Sequence, residues 1–323
     1  MLKTKVSIGR GRISIPMVFA IGLLGVMMVL PFLVQKQYLL HVIILANILA
    51  VFALSWDLLA GFMGQLNLGH SMFFGIGAYT IGFITMAYRI PPVLGLLLGG
   101  LISVLLSLVV GIPCLRLRGP YYAIATLAFS QVLFTLAMGL PKLTGSEEGI
   151  TKIPKFITSI QGNYYFSFFL LVVAVIALNL LFRSKFGKKL ISLREDERLS
   201  EAAGIDTSTY KIIGAAMSAF LAGFMGAYNC YYHGNVTPDM LSISLTFSVV
   251  AVVVFGGVGT LYGAIPGAYI LTFLNEYLYF IMDYRLLIYA LVIMLILLYS
   301  SGGLLGLLRE RLKVFNHGNT SSQ

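Results

Sequence analysis

The sequence predicts an all-α, polytopic transmembrane helical bundle. Hydrophobic residues make up 59% of the 323 residues, and charged residues make up only 11%. The mean hydropathy is +0.92, and apolar stretches recur along most of the chain. Stretches of this composition cross the hydrocarbon layer of a membrane as helices, because a helix satisfies its own backbone hydrogen bonds. The composition therefore excludes an ordinary soluble domain.

About ten segments approach the length of roughly 20 apolar residues that a spanning helix needs. They comprise residues 13–34, 38–60, 68–88, 92–115, 121–140, 165–182, 212–232, 243–256, 260–282 and 286–305. The third and eighth segments are short or interrupted by glycine, so we expect broken or re-entrant helices there. The first segment is too long for the apolar core of a signal peptide and has no small-residue cleavage site, so we expect it to be retained.

A charged segment interrupts the apolar pattern. Residues 183–211 hold seven of the 22 basic and five of the 12 acidic residues, so this segment lies outside the hydrocarbon. A cytoplasmic location for this segment and for both termini places 16 of the 22 basic residues on the cytoplasmic side, as the positive-inside rule requires. We predict one transmembrane domain over residues 1–315, a cytoplasmic loop over 184–210 and a polar, disordered tail over 316–323.

The composition argues against several classes of function. The net charge of +10 comes from basic residues that flank apolar stretches, which indicates orientation in a lipid membrane and not nucleic-acid binding. Cys114 and Cys230 are the only cysteines and lack ligand spacing, so we expect neither a disulfide nor a metal site. The chain has no nucleotide-binding loop and no Ser/His/Asp arrangement, so we expect no catalytic residue and no cofactor of its own.

Few acids lie close to apolar sequence. Asp57, Glu276 and Asp283 are the candidates, and they are too few for the carboxylate relay of a proton- or ion-driven transporter. A transporter of this composition is either passive or driven by a partner.

A polar, glycine-rich stretch follows the second segment. Its candidate pathway residues are Gly64, Gln65, Asn67, Gly69, His70 and Ser71. Transporters build sites for amino-acid or amide-like solutes from broken helices with exposed polar groups. An ordinary loop that enters a glycine-rich helix explains the residues equally well. His70 alone is more often a hydrogen-bonded structural group than a proton carrier.

Other glycines and small residues predict turns and close packing. Thr144, Gly145, Ser146 and Gly149 predict a turn in the longest predicted extracytoplasmic loop, which faces a partner, faces the entrance of the pathway or simply connects two helices. Residues 256–267 form a second glycine-rich connection. Small residues at every fourth position predict packing faces on two segments, formed by Gly95, Gly99, Ser103, Ser107 and Gly111 and by Gly214, Ser218, Ala222 and Gly226.

Several stretches, in order along the chain, carry a family resemblance. They are GQLNLGHSMFFGIGAY at 64–79, RLRGPYYAIATLA at 116–128, TGSEEGI at 144–150, REDERLSEAAGI at 194–205 and FGGVGTLYGA at 255–264. From about residue 40 to 305 the chain resembles the longer permease subunit of the high-affinity branched-chain amino-acid importers, which belong to the ATP-binding-cassette class. Ser146, in place of a second glycine, and Asn67, in place of a common serine, depart from the pattern. Urea and short-amide importers share the architecture, so the solute stays open.

The resemblance implies an importer subunit in a bacterial or archaeal cytoplasmic membrane. It implies a second permease subunit, two cytoplasmic ATPases that bind the ATP, and an extracytoplasmic binding protein. By similarity, the residues that couple to the ATPases are Arg194, Arg198, Glu201, Ala202, Ala203 and Gly204. Ser200 or Asp206 is suited to cap short helices here, and two alanines give a narrow apolar ridge. The alternatives of another class are an ion-coupled or passive transporter and a structural membrane scaffold.

Overall fold

A computed structural model describes residues 36–87, 90–114 and 119–277, together with residues 31 and 117. The predicted segments 13–34 and 286–305 and the tail 316–323 lie outside these residues. Within them the chain forms eleven α-helices and no strand, so the all-α prediction is confirmed.

The helices are connected by turns and loops, of which residues 145–159 form the longest. They are α1 (Gln37–Asp57), α2 (Ser71–Ala87), α3 (Pro92–Cys114), α4 (Pro120–Gly139), α5 (Pro141–Thr144), α6 (Ile160–Arg183), α7 (Lys185–Glu195), α8 (Glu197–Ala202), α9 (Thr207–His233), α10 (Ile243–Gly256) and α11 (Ala264–Tyr277). A π-helical turn, Leu58–Phe62, extends α1. Two 3₁₀ turns cover Ser146–Glu148 and Pro238–Leu241.

Five helices of the described residues are long and apolar enough to cross a membrane: α1 with its π-turn, α3, α4, α6 and α9. In contrast, α2 has 17 residues and α10 has only 14. A membrane of ordinary thickness needs about 20 helical residues. The two short helices therefore agree with the prediction that the third and eighth segments are interrupted.

The central helix is α1. Most of its residues from Leu40 to Asp57 are buried, and it packs against α6, α9, α10 and α11. Its apolar residues point in all directions, which is the pattern of a helix surrounded by other helices. The helices that surround α1 therefore lie close to its polar groups.

The second packing centre is the predicted seam of small residues. Helix α9 lies against both α2 and α3, and Gly223 of α9 faces Gly99 and Ser103 of α3. The Ser103 hydroxyl donates a 2.8 Å hydrogen bond to the carbonyl of Phe73 in α2, so the three helices meet there. Small side chains allow this approach of backbones, as predicted. Gly111 is different, because no described atom lies within 4 Å of the place of its missing side chain.

Two predicted helix starts were wrong by five residues. Helix α6 begins at Ile160 and not at residue 165, and α9 begins at Thr207 and not at residue 212. In each case a polar side chain accepts a hydrogen bond from the first turn: Ser159 from the amide of Gly162 and Asp206 from the amide of Thr209. The prediction measured apolar length alone, so it missed first turns that are polar because they are capped.

Alanine at Gly223 tests the seam. The added methyl group would collide with the Ser103 side chain and approach the Gly99 carbonyl to 2.8 Å. We expect Gly223→Ala to destabilise the protein by about 1–3 kcal/mol, as overpacking does. Gly111→Ala is the matched control, because its methyl group meets open space and alanine favours a helix. The measurement is the midpoint of thermal unfolding in detergent, and equal midpoints for both variants would contradict the packing argument.

Candidate functional site

The site begins where α1 ends. After Asp57 the chain makes the π-turn, the amide of Gln65 donates a 2.9 Å hydrogen bond to the carbonyl of Leu59, and no helix forms again until Ser71. We call residues 63–70 the break. The break agrees with the prediction that the glycines weaken the helix here. Its backbone amides and carbonyls lie between two membrane helices, so they need hydrogen-bond partners.

Polar side chains of the break supply several of those partners. The carbonyl oxygen of the Asn67 side chain accepts a hydrogen bond from the amide of Gly69 at 2.9 Å. The indole of Trp56 donates to the backbone carbonyl of Asn67 at 2.7 Å. His70 Nε2 lies 2.8 Å from the hydroxyl of Ser55, and the His70 ring stacks on Phe52. These bonds hold the break against α1.

Ser71 joins the two short helices. Its amide, at the start of α2, donates a 2.9 Å hydrogen bond to the hydroxyl of Thr246 in the first turns of α10. Its own hydroxyl lies 3.1 Å from the Ser130 hydroxyl in α4 and 3.1 Å from the carbonyl of Leu241. The N-terminal ends of two interrupted helices thus meet beside α4. Interrupted helices with adjacent N-termini are how several transporters present partial positive charge to a solute.

The candidate pathway residues differ in accessibility. Asn67, Gly69, His70 and Ser71 are buried, whereas Gly64 is exposed and Gln65 is partly exposed. The first four are therefore buried in separate hydrogen-bonded contacts, to Trp56, Ser55 and Thr246 among others, and the other two lie at the edge of the break. Contact of any of them with a solute stays a prediction.

A second polar cluster lies at the end of α1. Asp57 is 1% exposed, and its Oδ1 accepts a 2.8 Å hydrogen bond from the amide of Gly259. Its Oδ2 has no hydrogen-bond partner among the residues that the structure describes. The Arg194 guanidinium, from the charged loop, lies against the same Gly259. The end of α1 and the charged loop therefore meet at this glycine.

Arg194 also contacts the broken helix directly. Its Nη1 donates a hydrogen bond to the carbonyl of Gly61 in the π-turn. Gly259, whose φ is +71°, leaves room for this contact, because a side chain there would collide with the Arg194 guanidinium. One guanidinium therefore touches the end of α1 and the glycine-rich turn before α11. We call the end of the bundle that carries Arg194, α7 and α8 the charged end.

The charged loop is folded into α7 and α8. Asp196 caps α8 by accepting a 3.0 Å hydrogen bond from the amide of Leu199, whereas Ser200 lies inside the helix and bonds back to the Asp196 carbonyl. Asp206 caps α9, so the expectation of a cap at this residue is confirmed, although α9 is long and the alternative cap Ser200 was wrong. The pKa of Asp206 lies below its usual value, because the Thr209 hydroxyl and amide donate hydrogen bonds to the carboxylate.

The predicted ATPase-coupling residues form an exposed end of α8. Glu201, Ala202, Ala203 and Gly204 are all exposed. Gly204 has a φ of +81°, its amide bonds to the carbonyl of Glu201, and the next amide bonds to Ser200, which ends the helix in a Schellman turn. Leu199 adds an apolar side chain that is 69% exposed. Arg198 is exposed beside this ridge, whereas Arg194 points to the break.

The outer-loop candidates lie at the opposite end of α4. The Thr144 hydroxyl donates to the carbonyls of Ala137 and Leu140, at 2.5 and 2.8 Å. The Ser146 hydroxyl donates to the carbonyl of Met138 at 2.8 Å. These bonds satisfy carbonyls that the end of a helix leaves open. The turn that includes Gly145 and Gly149 is thus fixed to α4, and its contact with a partner stays a prediction.

Sequence reasoning missed two features of this site. The first is the contact between Arg194 and the carbonyl of Gly61, which lie 133 residues apart and share no sequence pattern. The second is Lys211, which is 6% exposed and donates to Glu197 at 2.6 Å. A signal for Lys211 existed, because a lysine just inside an apolar helix needs a nearby acid.

Comparison with known proteins identifies the family. The family described as "Branched-chain amino acid transport system / permease component" matches residues 38–297. The chain belongs to this permease family. The resemblance predicted from the sequence is therefore confirmed, and the chain is a multi-pass membrane protein of a transport family. No solved structure matches it significantly.

Individual relatives of this permease bear names of transport proteins. It is 28% identical to the "High-affinity branched-chain amino acid transport system permease protein LivM" of Salmonella typhimurium over 325 residues, which covers 92% of this chain and 76% of that one. It is 25% identical to a "Probable branched-chain amino acid transport permease protein LivH" of Methanocaldococcus jannaschii, with coverage of 83% and 90%. It is also 25% identical to the "Nucleoside ABC transporter permease protein NupC" of Lactococcus lactis, with coverage of 60% and 67%.

Alanine at Gly259 tests the space that Arg194 occupies. Gly259→Ala places a methyl group against the guanidinium and 2.8 Å from the Gly61 carbonyl. We expect a clear fall in the thermal unfolding midpoint, larger than the roughly 1–2 kcal/mol that an alanine with positive φ loses by itself. Gly204→Ala is the matched control, since Gly204 also has positive φ but no described atom lies within 4 Å of its missing side chain. An equal loss in both variants would remove the argument for a steric requirement at Gly259.

Proposed function

We propose that the chain is a permease subunit of an ATP-binding-cassette importer for branched-chain amino acids. It works with a second permease subunit, two ATPases that bind and hydrolyse ATP, and a binding protein that delivers the solute. It lies in the cytoplasmic membrane of a bacterium or archaeon, with the charged end and both termini on the cytoplasmic side. Family membership over residues 38–297 and the names of the relatives support this assignment.

The observation that carries the proposal is the contact of Arg194 with the carbonyl of Gly61. It joins a charged segment outside the hydrocarbon to the interrupted end of the central helix. A partner that displaces α7 and α8 therefore acts on α1 through this side chain and through the packing of α7 on the π-turn. Because Arg194 also lies against Gly259, the same displacement reaches the turn before α11.

The source of energy follows from what the sequence contains. It has no nucleotide-binding loop, and its acids near apolar sequence are too few for a carboxylate relay. The exposed ridge of Leu199, Ala202 and Ala203 has the form of a short helix that fits a groove of a partner. An ATPase at this ridge supplies the energy, and Arg194 transmits the movement to the break.

A second candidate is a permease for another small polar solute. One of the proteins to which the chain is similar is named as a nucleoside permease. Asn67 and Ser146 depart from the pattern of the branched-chain amino-acid permeases, within the stretches that carry the resemblance. Urea and short amides are therefore the solutes to compare with leucine. The binding protein selects the solute first, so uptake competition by urea, acetamide and adenosine decides between these candidates.

A positive charge added to the exposed end of α8 tests whether the ATPases dock there. Ala203→Arg puts a cation on the exposed end of α8, and we expect the ATPases to be lost when the permease is purified. Leu143→Arg adds the same charge to a residue that is 62% exposed at the opposite end of the bundle, and it should leave the ATPases bound. ATPases that stay attached to Ala203→Arg count against docking at this ridge. A permease that purifies without ATPases and moves leucine without ATP supports an ion-coupled or passive transporter.

Replacement of Arg194 or Arg198 by glutamine separates the docking of the ATPases from the transmission of their movement. In Arg194→Gln we expect the ATPases to remain bound and to hydrolyse ATP, while leucine uptake per ATP falls about tenfold or more, since a charge-assisted hydrogen bond is lost. In Arg198→Gln, where the arginine lies on the exposed ridge, this ratio should not change. The measurement is uptake and hydrolysis in the same proteoliposomes. A normal ratio in Arg194→Gln overturns the role of the Gly61 contact.

A further inference from the structure

A cavity of about 100 Å³ lies at the charged end, where the break, the α7–α8 region and the start of α4 meet. Its polar lining includes Gln65, Arg194, Glu197 and Lys211. Its apolar lining includes Leu66 and Tyr122. A pocket with convergent polar groups on one side and apolar groups on the other is the usual form of a site for a small amphipathic molecule.

The two cations retain donors that no described residue accepts. The Lys211 ammonium has three donors, and the structure gives one of them to Glu197 at 2.6 Å. The Arg194 guanidinium has five, and one is donated to the Gly61 carbonyl. Because Lys211 is 6% exposed, an oxyanion in the cavity would meet it with little competition from water. The lining therefore favours a carboxylate.

The start of α4 adds to this preference. Gly119 precedes the helix, lines the cavity and provides no side chain to cap the first turn. The first amides of a helix carry partial positive charge, and α4 has 20 residues. This end of α4 thus supports the binding of negative charge by the two cations.

We propose that this cavity is a release-side site for an α-amino acid. The carboxylate of the solute binds Arg194 and Lys211, its ammonium lies beside the Glu197 carboxylate, and its aliphatic side chain packs on Leu66 and the Tyr122 ring. This proposal rests on the proposed function, and it places the last contact of the solute beside the residue that transmits movement to the break. Displacement of Arg194 then weakens the site when the solute has to leave.

Direct binding tests the chemistry of the ligand. Radiolabelled L-leucine is bound to the purified full chain in lipid nanodiscs, without binding protein, and displaced by unlabelled competitors. We expect leucinamide, which lacks the carboxylate, and 4-methylpentanoate, which lacks the ammonium, to compete about tenfold or more weakly than L-leucine. Equal competition by leucinamide, displacement by inorganic phosphate, or no binding of leucine would each overturn the proposal.

Two variants test whether leucine binds in the cavity. The double variant Glu197→Gln, Lys211→Gln removes both charges and keeps two polar groups, and we expect leucine to bind about tenfold or more weakly. Leu66→Trp fills the cavity from a residue that is 44% exposed, leaves the ion pair intact and should also weaken binding. Lys189→Gln is the control, because Lys189 bonds to Tyr210 and does not line the cavity. Unchanged affinity in folded Leu66→Trp excludes this site.

The proposed function is tested separately by ATP-driven uptake in the complete importer. If uptake depends on ATP while the purified chain binds no leucine, the cavity proposal fails and the proposed function stands. If the chain binds leucine through its carboxylate while ATP drives no uptake, the amino-acid site in the cavity stands, and its release-side role and the proposed function both fail.

Discussion

The contact between the Arg194 guanidinium and the Gly61 carbonyl is the interaction on which the charged end depends. It satisfies a backbone group in the π-turn at the end of α1. The absence of a side chain at Gly259 is what admits the guanidinium. The same glycine donates its amide to the buried Asp57, so the end of α1, the charged loop and the turn before α11 meet at this point.

A second constraint is the interruption of helices inside an apolar bundle. Each interruption exposes amides and carbonyls that membrane lipid cannot satisfy. The structure meets this requirement with side chains from several helices, above all Ser71, Ser130 and Thr246. These residues are small, so they also allow the helices to come close. The groups that stabilise the break are themselves buried.

The proposed function gives two tasks to different parts of the charged loop. Glu201 to Gly204 are exposed at the end of α8, whereas Arg194 bonds to Gly61 in the π-turn and lies against Gly64 of the break. The same arginine lines the cavity. In the proposed mechanism, a movement received at the end of α8 acts through Arg194 on both α1 and the proposed solute site.

The prediction from sequence was successful where local composition controls the structure. Apolar length identified the long helices of the described residues, and glycine and polar residues identified the interrupted third segment. The small-residue spacing correctly predicted the seam at Gly223 and Ser103, because residues four apart share a helix face. The spacing did not distinguish Gly111 from the packed positions, since spacing along a helix does not show whether a neighbouring helix is present.

By itself, the sequence determined the class of protein and the interrupted segments, because both depend on the hydropathy of neighbouring residues. Only the tertiary structure decided which polar groups meet. Ser71 and Thr246 are 175 residues apart, and Arg194 and Gly61 are 133 residues apart. Such pairs form because helices packed side by side bring distant residues together, and a buried polar group must find a partner among whatever neighbours the packing supplies.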